Sequence, residues 1–120
     1  MNAAQVLQSF WEGFDLPAYD ENTVPDDATL PRITYEALFG DFNETVQMNA
    51  SIWYRSTSWA EITAKANAIK DSIGYGGKLL ATDSGALWIT RGSVFAQRMT
   101  DPDDSIRRMV ITINVDFIEE

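Results

Sequence analysis

Carboxylates are the side chains of this sequence best suited to acid–base chemistry near neutral pH, because it contains no histidine and no cysteine. Serine and cysteine triads, disulfides and cysteine-ligated zinc are therefore excluded. Glu44, Glu61 and Asp71 could act as acid–base groups, but catalytic carboxylate pairs need a defined separation that the sequence cannot supply. Glu61 also fits a structural role at the start of a predicted helix. We therefore expect no catalytic residues and a protein that is not an enzyme.

Two acidic clusters and one glycine-rich segment are the remaining candidates for ligand binding. The clusters at residues 26–27 and 101–104 lack the alternating oxygen ligands, central glycine and distal glutamate of a calcium loop. The segment GYGG at residues 74–77 follows a predicted helix, whereas a phosphate-binding loop follows a strand. These patterns favour solvated loops and a helix end, so we expect neither a metal ion nor a cofactor.

The charge balance is strongly acidic, with a net charge of −9 and a sequence pI of about 4.3. The nine lysines and arginines are scattered along the chain, whereas a DNA-binding protein usually clusters them in a patch. We therefore expect no specific nucleic-acid binding, although an acidic surface lining a DNA conduit would repel the passing strand. The N-terminal residues lack a signal-peptide pattern, and no apolar run is long enough to span a bilayer, so a soluble protein made in the cytoplasm is expected.

Length and hydrophobic pattern predict one α+β domain over residues 1–120. The 45% apolar content is sufficient for a buried core at this size. Apolar spacing indicates a short helix at residues 3–14 and a longer one at 59–73. Alternation indicates strands at residues 31–39, 44–54, 78–82, 86–91, 94–100 and 108–117. The segments 86–91 and 94–100 are joined through a bulge or turn at Gly92. This order, α-β-β-α-β-β-β, predicts a mostly antiparallel sheet with one long helix packed on one face and a short N-terminal helix.

The second helix and the final strand carry the most specific local patterns. Ser58 and Glu61 match a capping box at the start of this helix, and Gly74 suits the position just after its end. One narrow apolar seam runs along the helix, at Trp59, Ile62, Ala66, Ile69 and Ile73. Five apolar residues share one face of the last strand, which predicts a central place in the sheet: Met109, Ile111, Ile113, Val115 and Phe117.

Tryptophans and arginines on faces expected to be polar are the best candidates for contacts with another protein. Trp53 and Trp88 lie opposite the apolar residues of their strands, and tryptophan is enriched at protein interfaces. Either the same chain covers them, for instance with its N-terminal helix, or a partner does. Arginines of the C-terminal half could likewise face solvent or meet the acidic loops of an identical neighbour in a ring. These residues are Arg91, Arg98, Arg107 and Arg108.

The order of elements resembles that of the tail terminator, or tail completion, proteins of long-tailed bacteriophages, a family that includes minor capsid proteins of phages of Gram-positive bacteria. The resemblance covers nearly the whole chain and rests on element order and hydrophobic pattern, because the family has no catalytic signature. The glycine-marked hairpin region at residues 78–91 departs from the family pattern. The matching features are a helix through Phe14, an acidic loop at residues 19–29, LPRITY at 30–35, TVQMNASIWY at 45–54, SWAEI at 58–62 and RRMVITINVDF at 107–117.

The resemblance implies a subunit of a homo-oligomeric ring, typically a hexamer, that caps the tail tube, ends its polymerisation and contributes to head–tail joining. The implied partners are copies of itself, the tail-tube protein and head–tail connector proteins. DNA would pass through without specific binding, and no membrane is involved. The implied locations are the tail or neck of the virion and, during assembly, the host cytoplasm.

In such a ring, Trp53, Trp88 and the four arginines are the candidate interface residues. Asp101, Asp103 and Asp104 are candidates for a loop that reaches a neighbour or the lumen. Other head–tail connector or neck proteins share the small size and the absence of catalytic groups. An acidic DNA mimic or inhibitor would need carboxylates spaced along one face, and a small carboxylate-based enzyme or ligand-binding domain would need a deep apolar pocket with convergent carboxylates.

Overall fold

The computed structural model of the protein describes residues 1–119, which form two helices and one six-stranded sheet. The helices are α1 (Ala3–Glu12) and α2 (Ala60–Ile73). The strands are β1 (Ala18–Asp20), β2 (Arg32–Tyr35), β3 (Thr45–Arg55), β4 (Lys78–Thr82), β5 (Gly85–Met99) and β6 (Ile106–Glu119). The strand order is β1-β2-β3-β6-β5-β4, and only the β1–β2 pair is parallel. The predicted α+β class and mostly antiparallel sheet are confirmed.

Strand β6 lies at the centre of the sheet between β3 and β5, as its pattern predicts. Branched side chains pack well on a pleated surface, and the alternation on β6 turns one complete set of them inward. The facing residues of β3 on the same inner face are Met48, Ala50, Ile52 and Tyr54, all buried. All five predicted inward residues of β6 are buried: Met109, Ile111, Ile113, Val115 and Phe117.

Strand β5 combines the two segments predicted at residues 86–91 and 94–100 into one strand with an interruption. The register of β5 against β6 shifts between Arg91 and Ala96, so residues 92–95 lie opposite Thr112 alone. Gly92 suits this position because a Cβ atom there would lie 2.7 Å from the carbonyl oxygen of Thr112. The bulge at Gly92, one of the two alternatives offered by the sequence, is confirmed.

Both helices are short, with 10 residues in α1 and 14 in α2, so the single long helix expected from the sequence is not confirmed. Helix α2 packs on the inner face against β3, β5 and β6. Gly74, with a φ of 74°, ends it as predicted. No helix within residues 1–119 is long and apolar enough to cross a membrane. Four residues of the predicted seam are buried: Ile62, Ala66, Ile69 and Ile73.

The capping box forms on α1, whereas the one predicted at Ser58 does not form. Helix α2 begins one residue later than expected, with Trp59 at the N-cap position. The hydroxyl of Ser58 accepts the amide of Ala60 at 3.1 Å, a local turn that competes with capping. On α1, Asn2 Oδ1 accepts the amide of Gln5 at 2.9 Å and Gln5 Oε1 accepts the amide of Asn2 at 2.9 Å.

Helix α1 bridges the two edges of the curled sheet. It contacts β1 at one edge and β4 at the other. Gln8 Nε2 donates to the carbonyl oxygen of Ala18 on β1 at 2.8 Å, and the N-terminal ammonium pairs with Asp83, next to β4, at 2.6 Å. Trp11 is 1% exposed and stacks on Tyr35 at a ring-centroid distance of 6.3 Å. The helix therefore packs on the inner side and leaves the outer face of the sheet uncovered.

Candidate assembly interface

The outer face of the sheet, opposite the two helices, carries Trp53 and Arg108, two of the residues predicted to lie at an interface. The strand register places both at the end where β3 finishes and β6 begins. Thr34 and Ser51 share this face, yet they are only 8% and 7% exposed. Buried hydroxyls need hydrogen-bond partners, and the larger side chains around them supply these partners.

Trp53 lies between two arginines, and this group of Arg32, Trp53 and Arg108 is called the outer stack. The guanidinium carbons of Arg108 and Arg32 lie 4.6 and 5.9 Å from the Trp53 ring centroid, within the cation–π range. The Trp53 indole donates to Thr34 Oγ1 at 3.0 Å, and Arg108 Nε donates to Ser51 Oγ at 3.1 Å. The outer stack is therefore fixed against its own sheet and forms a rigid surface.

A second group, the inner stack of Trp59, Arg98 and Arg107, lies at the same end of the sheet on the helix side. The guanidinium carbons of Arg98 and Arg107 lie 4.7 and 5.3 Å from the Trp59 ring centroid. Arg107 also donates to the carbonyl oxygens of Thr57 at 2.9 Å and Asp104 at 2.8 Å. These bonds connect the turn before α2 to the loop between β5 and β6. Arg98 and Arg107 thus have structural contacts within their own chain.

Trp88 and Arg91 lie away from both stacks. Trp88 is 40% exposed on the outer face, and its indole donates to the carbonyl oxygen of Gly76 at 3.1 Å. Arg91 donates through Nη2 to the carbonyl oxygen of Lys70 at 3.0 Å, and this oxygen also accepts the amide of Gly74 at the end of α2. Its guanidinium carbon lies 4.6 Å from the Tyr75 ring centroid. The structure therefore does not unite the six candidates at one site.

The loop at residues 100–105 holds the three predicted lumen or loop residues Asp101, Asp103 and Asp104. Asp103 Oδ1 accepts the hydroxyl of Ser105 at 2.6 Å and its amide at 2.8 Å. These hydrogen bonds, together with the charge of Arg55, hold the pKa of Asp103 below its ordinary value. Asp101 Oδ1 accepts the amide of Asp103 at 2.9 Å. The loop is therefore braced by its own side chains while Asp103 and Asp104 stay exposed.

Arg32, Arg55 and Trp59 are site residues that the sequence did not single out. Arg32 and Thr34 alternate with Ile33 and Tyr35 in the predicted strand at residues 31–39, and this alternation was the available signal. Its proximity to Trp53 depends on the pairing of β2 with β3. Five of the nine basic residues thus gather at one end of the sheet: Arg32, Arg55, Arg98, Arg107 and Arg108.

A cleft of about 250 Å³ lies between α1, β4 and the end of α2. The side chains that line it include Phe10, Phe14, Leu80 and Lys78, and its described lining contains no carboxylate. Within residues 1–119, no group of three acidic side chains is arranged to hold a metal ion. This cleft therefore does not provide the convergent carboxylates that a catalytic or ligand-binding site of the kind considered above would need.

Replacing Trp53 with alanine is expected to lower the free energy of unfolding by about 2 kcal/mol. The variant loses two cation–π contacts and leaves the buried Thr34 hydroxyl without its donor. Trp88→Ala is the matched control, because Trp88 is more exposed and its indole bonds only to an exposed loop carbonyl. Urea denaturation followed by far-UV circular dichroism measures both variants. If both variants lose the same free energy of unfolding, the contacts of the outer stack stabilise the protein no more than an exposed tryptophan does.

The architecture places the chain among α+β proteins in which a curled, mostly antiparallel sheet packs against two helices. A chain of the virion of a native gene transfer agent (GTA) particle has this fold, with a TM-score of 0.60 and 18% sequence identity over 95% of this chain and 85% of that chain. No protein-family model and no curated protein matches the sequence. At this level of identity the similarity establishes the fold alone.

Proposed function

We propose that this chain is a structural virion protein that forms a ring on the end of a phage tail tube, stops tube polymerisation and contributes to head–tail joining. The observation that carries the proposal is the fold shared with a virion chain over 95% of the sequence. The resemblance of the element order to tail terminator proteins supports the finer assignment to the tail end. The proposed partners are copies of the chain, the tail-tube protein and head–tail connector proteins, and no catalytic role is assigned.

The distribution of charge supports this proposal. The two arginine–tryptophan stacks provide rigid, positively charged surfaces at one end of the sheet, whereas the whole chain carries a net charge of −9. The exposed Asp103 and Asp104 lie beside that end, in the proposed lumen loop with Asp101. Negative charge along a conduit keeps DNA from binding during transit. A strongly basic lumen in an assembled ring would contradict this assignment of the loop.

The direct test is tube length. Tail-tube protein from the same phage is polymerised with and without this protein, and lengths are measured by negative-stain electron microscopy. We expect shorter tubes with added density at one end when the chain is present from the start. Adding it after polymerisation is the matched control, and this addition should cap the ends without altering lengths. Unchanged lengths and bare tube ends in both experiments would refute a terminator.

The same preparations distinguish the two alternatives. A connector or neck protein would bind heads or finished particles and leave tube length unchanged. An acidic DNA mimic would compete with DNA for a DNA-binding protein at moderate salt and bind no tube. Static light scattering over a range of protein concentrations measures whether rings form without a tube.

A further inference from the structure

A basic pocket of about 420 Å³ opens at the end of the outer sheet face, next to the outer stack. Leu30, Trp53 and Ile106 supply apolar walls, and Arg32 and Arg55 supply positive charge. Arg55 also pairs with Asp103 of its own chain at 3.9 Å, both side chains being more than half exposed, so an acidic occupant would share this guanidinium. The Nε atom of Arg32 is buried and has no hydrogen-bond partner within residues 1–119. Arg32 thus forms part of the pocket wall, and its positive charge favours an acidic occupant.

The opposite end of the sheet presents a segment of complementary chemistry, the aromatic loop at residues 38–44. Leu38, Phe39 and Phe42 are 41%, 56% and 63% exposed, which is unusual for side chains of this size. Asp41 and Glu44 in the same loop are exposed and acidic. Clustered exposed apolar side chains within a polar rim are typical of interaction surfaces.

The aromatic loop is held in position by the core. Phe39 packs edge-on against the buried Phe117 with ring centroids 6.4 Å apart. The amide of Asn43 donates to the carbonyl oxygen of Phe117 at 2.6 Å. The exposed side chains are therefore presented on a fixed backbone, which reduces the entropy lost on docking.

We propose that the aromatic loop of one copy of this chain docks into the basic pocket of the next copy. Asp41 and Glu44 would meet Arg32 and Arg55, while Phe42 would pack on the apolar walls beside Trp53. Both surfaces combine apolar area with charge, and the signs of the charges are opposite. Docking within one chain is excluded because the loop and the pocket lie at opposite ends of β3. The ten residue-to-residue rises of this strand, about 3.3 Å each, separate them by about 33 Å.

The contact joins two different surfaces of the same protein, so it is heterologous. A heterologous contact generates a ring when its rotation closes and a filament when it does not. The inference rests on the proposed ring function, because it identifies the surfaces through which neighbouring subunits of that ring would meet. The self-contact itself is measurable without any tail tube.

Cysteine cross-linking tests the contact cleanly, because the chain has no cysteine of its own. One protein carries Thr29→Cys at the pocket rim and another carries Leu38→Cys in the aromatic loop, which leaves Asp41, Phe42 and both arginines intact. The two are mixed, treated with a short bismaleimide and separated on a denaturing gel. Docking raises the effective concentration of the thiols to the millimolar range, so we expect cross-linking on the order of 100-fold faster than for micromolar proteins that meet by diffusion.

The control pairs Thr29→Cys with Tyr75→Cys, since Tyr75 is 99% exposed and lies outside both surfaces.

A charge reversal provides a second measurement. Arg55→Glu and Asp41→Arg are each expected to weaken self-association roughly tenfold, and the chain with both substitutions is expected to recover it. Failure of the double variant to recover self-association would remove the Arg55–Asp41 pairing from the proposal.

The outcomes separate this contact from the tail function. The protein on tube ends could shorten the tubes as expected and yet give no more loop–pocket cross-linked product than the Tyr75→Cys control. That result would overturn the contact and leave the terminator proposal standing. Rapid loop–pocket cross-linking together with unchanged tube lengths and bare tube ends would support the contact and refute the terminator proposal. If the product equals the control both on tube ends and at the highest soluble concentration, the contact is refuted.

Discussion

Replacing Trp11 with alanine is expected to lower the free energy of unfolding by about 3–5 kcal/mol, the range for large aromatic side chains removed from well-packed cores. Trp11 is 1% exposed and contacts Phe10, Phe14 and Tyr35 at ring-centroid distances of 4.9, 6.4 and 6.3 Å. Its contact with Tyr35 joins α1 to β2. The substitution thus leaves a cavity at the place where distant segments meet.

Far-UV circular dichroism in urea measures this loss without depending on the tryptophan signal. A domain of this kind has a total stability of about 5–15 kcal/mol, so the variant should show a much lower denaturation midpoint. Tyr75→Ala is the control, because Tyr75 is 99% exposed and its removal should cost less than about 1 kcal/mol. Similar losses for the two variants would show that the packing of Trp11 contributes no more to stability than an exposed aromatic side chain.

Replacing Gly85 with alanine is expected to destabilise the protein by about 3 kcal/mol, the upper part of the range for forced overpacking. Gly85 begins β5 and pairs with Glu119 at the end of the central strand. A Cβ atom there would overlap the carbonyl oxygen of Ile118 and lie 2.9 Å from its carbonyl carbon. Backbone atoms in a paired strand cannot rotate away as a side chain can, so the strand ends must separate.

Gly76→Ala is the matched control for this substitution. A Cβ atom at Gly76 would have no neighbour within 4 Å. The control should therefore change the unfolding free energy by less than about 1 kcal/mol, with any gain arising from a more restricted unfolded chain. Thermal unfolding compares the two variants, and hydrogen exchange reports whether the β5–β6 pairing opens. Equal stability of the two variants would contradict the close approach of Gly85 and Ile118.

Local periodicity predicted the parts of the fold whose burial follows a short repeat. The alternation from Met109 to Phe117 identified both the inner face of β6 and its central position. The spacing from Ile62 to Ile73 identified the buried side of α2. These patterns are reliable because an amphipathic strand or helix has to place its apolar side against the core.

Features determined by distant pairing were not predictable in this way. Strand β1 has only three residues, and its parallel pairing with β2 lies in a segment that reads as an acidic loop. The bridging position of α1 depends on the curl of the whole sheet. Ser58 matched a capping box by composition, yet its hydroxyl forms a turn with Ala60 and the helix begins later.

The composition of the candidate interface likewise depends on pairing between distant segments. Trp53 and Arg108 were singled out separately, but the register between β3 and β6 makes them neighbours and adds Arg32 from β2. Arg98 and Arg107, predicted at a subunit interface, lie over Trp59 of their own chain. Their role between subunits stays a prediction. Side-chain identity indicates which residues are suited to contacts, whereas three-dimensional pairing determines which of them share a surface.

The central position of β6 has a mechanical consequence. All 11 residues of β3 pair with β6 on one side, and β5 pairs with it on the other side along most of its length. A pull along the strand axis would load these rows of hydrogen bonds in shear, so many bonds would have to break together. A pull across the sheet would open them one after another. The chain should therefore resist tension best along the direction of β6, and forced-unfolding rates should depend on the points of attachment.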